Sequence, residues 1–359
     1  MIHNTDPLDV IIVGGGLSGL VTARNISKQN KTWKLLEASN VLGGRLQNDL
    51  ADNKVDLGGA WIWPNQDQML KLVESLTLNV FRQPGGDEQS PFRVVGGAEI
   101  IVNTIVDELD ASCIERNCEA KVCRQISDNL VSVELSSGKI LNAKTICLAC
   151  APKIIDLHIQ FHPPLSISKT NAMSSSQTWM AGVTKVALIY NCVKFWPEQM
   201  SNEGLRPGEN RPAFQYYDAS PQDGTVCALT FFTLASLSSS EGGIKNDKKL
   251  ARDCADQLCE SLSGFANANT STIAENIRQF DEFQVKRWPL EKFISETKDP
   301  TSIAPHPEPN KNLAISEWNG MLLFAGTESD LISPGLMEGA VNSANRATRE
   351  ILSSSAQNV

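Results

Sequence analysis

The chain predicts an α/β protein, and three observations carry that expectation. The stretch Asp9-Val-Ile-Ile-Val-Gly-Gly-Gly-Leu-Ser-Gly-Leu20 runs from an apolar strand through glycines into a helix, and Leu35-Leu-Glu37 closes a second strand on an acid. The middle of the chain turns to strands and one amphipathic helix. At 359 residues the chain is long for one domain, so two domains, or one with a large insertion, are expected.

The first stretch carries the chemistry. Gly14 makes the tight turn, Gly16 lets backbone approach a pyrophosphate, and Gly19 allows close helix–strand packing. The helix opening at Leu17 and Ser18 aims free N–H groups and the positive end of its dipole at that pyrophosphate. Glu37, followed by Ala38, falls where a carboxylate takes both ribose hydroxyls of an adenosine. A glycine-rich turn without a ligand explains the glycines alone, but not the strand, helix and acid around them.

Composition narrows the classes. A net charge of -9 repels phosphate, which argues against nucleic acid and anionic membranes as partners. The first residues have no basic segment leading into an apolar one, and no run reaches the ~20 apolar residues of a membrane helix, so a soluble, cytoplasmic protein is expected. Nine cysteines without regular spacing suit a reducing compartment. Cys147 and Cys150 form a C-x-x-C, but inside an apolar strand, where packing is the favoured explanation over redox or metal chemistry. No metal site is expected. His158 and His162 lie around a Pro-rich loop without a partner motif and read as structural.

Val41-Leu-Gly-Gly-Arg45 and Val55-Asp-Leu-Gly-Gly-Ala-Trp61 follow, two Gly-Gly pairs within fifteen residues. They press backbone against a flat or anionic ligand, with Arg45 placed to neutralise a pyrophosphate charge. Together, Gly14-x-Gly16-x-x-Gly19, Glu37-Ala38 leading to Gly43-Gly44-Arg45, and Asp56-Leu-Gly58-Gly59-Ala60-Trp61 resemble the N-terminal signature of the flavin-containing amine oxidases. That family includes monoamine, polyamine and L-amino-acid oxidases. The resemblance implies FAD as resident cofactor, held in a Rossmann-like domain beside a second domain of mixed sheet and helices. It assigns residues 1–65, 92–160 and 310–359 to the FAD-binding domain, and 66–91 with 161–309 to the substrate domain.

Further positions follow from the same resemblance. Residues 66–80 carry a helical stripe at Met69, Leu72, Val73 and Leu76, then a loop leads to Phe92-Arg-Val-Val-Gly-Gly-Ala98 and a helix over 101–109. The family places a long helical insertion before this return. Its absence here implies a site that is more open or closed by a partner subunit, as in a homodimer. Residues 120–151 alternate as a meander of strands, with Val122 at the family's adenine-contacting position. Lys185, inside the apolar strand 182–190, reads by propensity as an edge lysine. The resemblance instead places it on the lysine that holds a water near flavin N5. Trp288 resembles the tryptophan preceding the active-site aromatic loop.

Ungapped counting puts the family's cysteinyl-flavin position on Thr297 and its first aromatic cage residue on Lys298. Non-covalent FAD is therefore expected. Leu336 takes the second cage position, so Lys298 and Leu336 are candidate substrate contacts, and a cation there would favour an anionic substrate such as an amino acid. At the end, Ala325-Gly326-Thr327-Glu328 and Pro334-Gly-Leu336-Met337-Glu-Gly-Ala340 match the family again. The N-terminal amides of the last helix, near Leu336 and Met337, would face the flavin N1–C2=O edge, with Glu328 beside the ribityl and pyrophosphate.

The implied reaction is hydride transfer from a C–H beside an amine or amino-acid nitrogen to flavin, imine hydrolysis, and reduction of O2 to hydrogen peroxide. Three alternatives stay open. One is a renalase-like oxidase of dihydronicotinamides, the second a desaturase or protoporphyrinogen-oxidase type, the third a flavin-bearing interaction protein without turnover.

Overall fold

The computed structural model describes residues 6–48, 54–200, 202–234, 244–262, 268–296 and 306–356. In chain order its first unit contains β1 (Leu8–Val13), α1 (Leu17–Ser27), β2 (Trp33–Leu36), α2 (Asp67–Ser75), β3 (Val80–Arg82), β4 (Phe92–Val94), α3 (Glu99–Asp107), β5 (Ile114–Glu115), β6 (Ala120–Ser127), β7 (Leu130–Leu135), β8 (Ile140–Leu148), α4 (Pro152–His158), β9 (Gln160–His162) and α5 (Ile167–Ser175). A second unit follows with β10 (Val183–Tyr190), β11 (Asn202–Gly204), β12 (Ala213–Asp218), β13 (Cys227–Leu234), α6 (Ile244–Leu262), α7 (Ala268–Ile277) and β14 (Glu282–Arg287). The chain then returns to the first unit through α8 (Lys311–Ala314), β15 (Leu322–Phe324) and α9 (Met337–Ala356).

The large sheet runs β5-β2-β1-β8-β7-β6-β9, with β15 also on β8. Its core is parallel: β2 and β8 flank β1, and β15 joins β8 alongside. The sequence reads a meander strand and a separate apolar strand across 140–151; the structure makes them one. The first half of β8 pairs antiparallel with β7 and alternates in burial, whereas its second half lies between β1 and β15 and is wholly buried. A strand flanked on both edges and covered on both faces has no solvent side, so alternation gives way to a continuous apolar run.

Around β1, helices α1, α2, α3 and α9 close one core through Leu20, Met69, Ile101, Val341 and Ala344. The α2 segment, grouped with the substrate domain by sequence, packs here. Glu338 of α9 accepts from the backbone N–H groups of Gln68 (3.1 Å) and Met69 (2.7 Å), satisfying the first turn of α2 with a carboxylate at its positive end.

The second sheet is antiparallel in the order β11-β12-β13-β10-β14. Strand period two sorts β10 cleanly. Val186, Leu188 and Tyr190 pack with Leu250, Cys254 and Leu258 of α6, while Val183, Ala187 and Ile189 join Leu57 and Ala60 of the first unit. Lys185, an odd-numbered position, belongs to the face turned toward the first unit. It lies on an interior strand rather than an edge, so the edge reading by propensity does not hold.

Candidate functional site

A cavity of about 480 Å³ lies where the C-terminal ends of β1 and β8 meet the inner face of the second sheet. Parallel sheets bind ligands at the carboxyl ends of their strands because helix N-termini and loop amides collect there. Of the residues singled out by sequence, Gly14, Gly16, Leu17, Ser18, Glu37, Gly44, Arg45, Gly58, Gly59, Ala60, Trp61, Lys185, Gly326, Thr327, Leu336 and Met337 line it. They come from both ends of the chain and its middle, and the fold alone brings them together.

One end of the cavity is a backbone cradle. Gly14 has φ +106°, and a Cβ there would stand 2.6 Å from the Cys150 sulfur. Gly16 forms an isolated parallel bridge with Gly43, and a Cβ on the next residue, Gly44, would stand 3.3 Å from the Gly16 Cα. Side chains would close the space both loops leave open. Glu37 accepts from the amides of Gly15 (2.7 Å) and Ser39 (2.8 Å), which fixes its carboxylate at the cavity wall. The Ser18 hydroxyl donates to the Ala325 carbonyl, tying this loop to the strand end before Gly326.

Midway along, Arg45 Nη1 donates to Glu328 Oε1 at 2.7 Å and to the Trp179 carbonyl at 3.3 Å. Glu328 is fully buried, and its Oε2 has no hydrogen-bond partner among the described residues. A buried carboxylate oxygen left without a donor is costly unless a hydroxyl or amide arrives. The glycine cradle, the acid at its end and this orphaned acceptor suit an extended dinucleotide.

At the far end stand Lys185, Trp61 and Phe232, with Leu336 and Met337 opening α9. Lys185 is 1% exposed; its Nζ donates to the Gly58 carbonyl at 2.5 Å and lies 4.7 Å from the Phe232 ring centroid. Burial pulls its ammonium down to about 7, partly opposed by the carboxylate of Asp56 and reinforced by Arg93. Burial also raises the Asp56 carboxyl, against the opposing guanidinium of Arg93 at 3.5 Å. Arg93 in turn holds the carbonyls of Ala219 (2.9 Å) and Ser220 (2.8 Å), and Asp56 accepts from the Ala98 amide (2.7 Å). This buried pair braces the Gly58-Gly59 turn on which Lys185 docks.

The remaining sequence candidates stand beside the cavity rather than on its wall. Gly19 packs so tightly that a Cβ would meet the Gly14 carbonyl oxygen at 1.9 Å, as its helix–strand role requires. Ala38 lines a smaller adjoining cleft with Glu119 and His158. Val122, buried in β6, lines neither space. Trp288 is fully buried and donates to the Leu57 carbonyl at 3.0 Å, bracing the same loop from behind. Thr297 and Lys298 lie outside the described residues. Cys147 is buried in β8, while the Cys150 thiol donates to the Val13 carbonyl at 3.3 Å; both are free thiols.

Sequence reading missed Trp179, Phe232, Gln215 and His306, all on the cavity wall. Phe232 pairs across strands with both Lys185 and Gln215, so the three form one row on the inner face. Strand register carries that signal, and register is non-local. Trp179 and His306 stack with centroids 3.7 Å apart, and burial lowers the His306 imidazole from its ordinary value.

The profile of the family of flavin-containing amine oxidoreductases matches residues 85–352, and that of NAD(P)-binding Rossmann-like domains matches 12–76. The chain belongs to the flavin-containing amine oxidoreductase family. Its cofactor class is accordingly a flavin. Over 270 residues it is 27% identical to flavin-containing amine oxidase B of Sus scrofa, covering 75% of this chain and 48% of that protein. Over 78 residues it is 41% identical to an L-amino acid dehydrogenase of Synechocystis sp., covering 21% of this chain and 17% of that one. The chain thus spans about half the length of the pig relative it matches. Among solved structures it superposes on putrescine oxidase bound to putrescine (TM-score 0.75, 14% identity, 97% of this chain and 99% of that one). It also superposes on cyclohexylamine oxidase of Brevibacterium oxydans (TM-score 0.76, 16% identity, 98% and 100%). At these identities the likeness shows a shared fold. Among the described residues no helix is long and apolar enough to cross a membrane, and no cluster of three His, Cys, Asp or Glu side chains is placed to hold a metal.

Proposed function

We propose that the chain is an FAD-dependent oxidase of amines or amino acids. The observation that carries this reading is one continuous cavity with a glycine-lined backbone cradle at one end and a buried lysine on an aromatic wall at the other. Bound FAD would supply the two-electron chemistry, taking a hydride from a C–H beside an amine nitrogen and passing the electrons to O2 as hydrogen peroxide.

The protein's own part is binding, orientation and field. Gly14, Gly16, Ser18 and Gly44 would offer backbone to the pyrophosphate, Arg45 its positive charge, and Glu37 acceptor oxygens for the adenosine ribose. Glu328 Oε2, buried without a donor among the described residues, would accept from a hydroxyl of the bound cofactor. The amide opening α9 at Met337 and the positive end of that helix would favour negative charge on the reduced ring edge, while the Leu336 amide donates to the Ser333 carbonyl at 3.2 Å and shapes the turn before it. Lys185, titrating near neutral pH, holds water and a proton near the reacting centre. Trp61, Phe232 and Trp179 give the substrate an apolar, π-rich wall, on which Trp179 stacks against His306. Cofactor retention is non-covalent, and a second copy of the chain is the candidate cover for a site with so short a connection over it.

Anaerobic mixing of the purified yellow protein with amines, amino acids and dihydronicotinamides tests the reading. Flavin bleaching by an amine or amino acid, with peroxide on admitting air, is the expected result. Bleaching by dihydronicotinamides alone would replace it with the renalase-like alternative, and a flavin silent to all three would leave a non-enzymatic flavoprotein.

A further inference from the structure

We propose that Cys192 and Cys227 form a peroxide-reactive thiol pair that closes to a reversible disulfide at the outer end of the second sheet. Their sulfurs lie 3.7 Å apart. Cys192 is exposed, just beyond the end of β10, whereas Cys227 is buried and opens β13 opposite Tyr190. The Cys227 thiol also donates to the Cys192 carbonyl at 3.3 Å, so it points at the residue it would bond. One accessible sulfur beside one sheltered sulfur is the arrangement in which oxidation stops at a disulfide instead of climbing to sulfinic and sulfonic acid.

The order of events follows from accessibility. The Cys192 thiolate attacks a peroxide oxygen; the O–O bond breaks and hydroxide leaves, taking up the released proton as water. The Cys227 sulfur then attacks the Cys192 sulfenic sulfur, forming S–S as S–O breaks, and the second oxygen leaves as water with the Cys227 proton. In sum, two thiols and one hydrogen peroxide give one disulfide and two waters, with the thiols losing two electrons to the peroxide. Burial pushes the Cys227 thiol up to about 12, which disfavours it as the sulfur that meets peroxide first, and its 3.7 Å approach to the Cys192 sulfur supplies the proximity on which the second step depends. The oxidant is hydrogen peroxide from any source, so the proposal stands apart from the oxidase reading above.

The test treats the full chain with a graded excess of hydrogen peroxide, blocks remaining thiols with N-ethylmaleimide under denaturing conditions, and maps peptides by mass. The expected product is a cross-linked pair containing residues 192 and 227, lighter by two hydrogens, with loss of two alkylatable thiols and their return on treatment with dithiothreitol. Cys192→Ser, at an exposed position, should abolish the cross-link and leave Cys227 fully alkylated. Cys227→Ser should send Cys192 to sulfinic or sulfonic acid at peroxide levels that give the disulfide in the unsubstituted chain. Over-oxidised Cys192 beside a still alkylatable Cys227 in the unsubstituted chain, or a cross-link joining other cysteines, would overturn the proposal.

Discussion

At Lys185 a charged side chain is enclosed by Phe232, Tyr217 and the Gly58 carbonyl, and burial brings its ammonium to about 7. The group therefore changes charge near neutral pH, unlike a surface lysine. Under the proposed function, Lys185→Met should slow flavin reduction or reoxidation by roughly 10²-fold while the cofactor stays bound, and should erase an inflection near pH 7. Stopped-flow traces of both half-reactions across pH would show it; unchanged rates would remove the lysine from the mechanism. Lys169 is a structural counterpart. It donates to the carbonyls of Leu313 (3.0 Å) and Ile315 (2.6 Å), lies 3.6 Å from the Phe324 ring centroid, and is also brought to about 7 by burial. An unfolded lysine titrates near 10.5, so between the two values the unfolded chain binds a proton that the folded chain has released. Each such lysine makes stability rise with pH across that window, by at most about 1.4 kcal/mol per unit, and adds no slope below it, where both states are charged. Lys169→Met should remove about half of the rise that the two lysines share, measured by denaturant unfolding between pH 7 and pH 10. An unaltered slope would contradict that assignment.

Elements differ in how far their sequence announces them. The β1–α1 turn is fully legible, because the positive φ of Gly14 and the contact of Gly19 with the Gly14 carbonyl both arise inside a single local motif. Gly19→Ala should cost about 3 kcal/mol or more and weaken flavin binding, since the new methyl meets backbone at the Gly14 carbonyl and nothing flexible can yield. Thermal denaturation and flavin content would register both losses, and a variant matching the parent in each would refute the packing argument. Helix α6 is legible too, from one apolar stripe of Leu250, Cys254, Leu258 and Leu262. In contrast, β8 misleads as two strands because half of it has one partner and half another. Likewise α2 gives away its apolar face but not its owner, which the Glu338 carboxylate of α9 decides from 269 residues away.

For the whole molecule, the cavity draws on both chain ends and the middle sheet, so ligand binding and folding are coupled. Saturating flavin should raise the unfolding midpoint, with about 2.7 kcal/mol gained at a free concentration of 100 times Kd. Acid precipitation should release the flavin into the supernatant, as non-covalent retention requires, whereas colour remaining in the pellet would indicate a covalent link. The amino-acid string by itself determined the nucleotide-binding turn, the acid at Glu37, the family signature and most element positions. These depend on backbone sterics and on periodicities that act within a few residues. Only the tertiary structure decided that Phe232 and Gln215 share a row with Lys185, that Trp179 stacks on His306, and that Cys192 meets Cys227. Those neighbours are set by strand register and domain apposition, which minimise the energy of the whole packed core and leave no mark in any short stretch of chain.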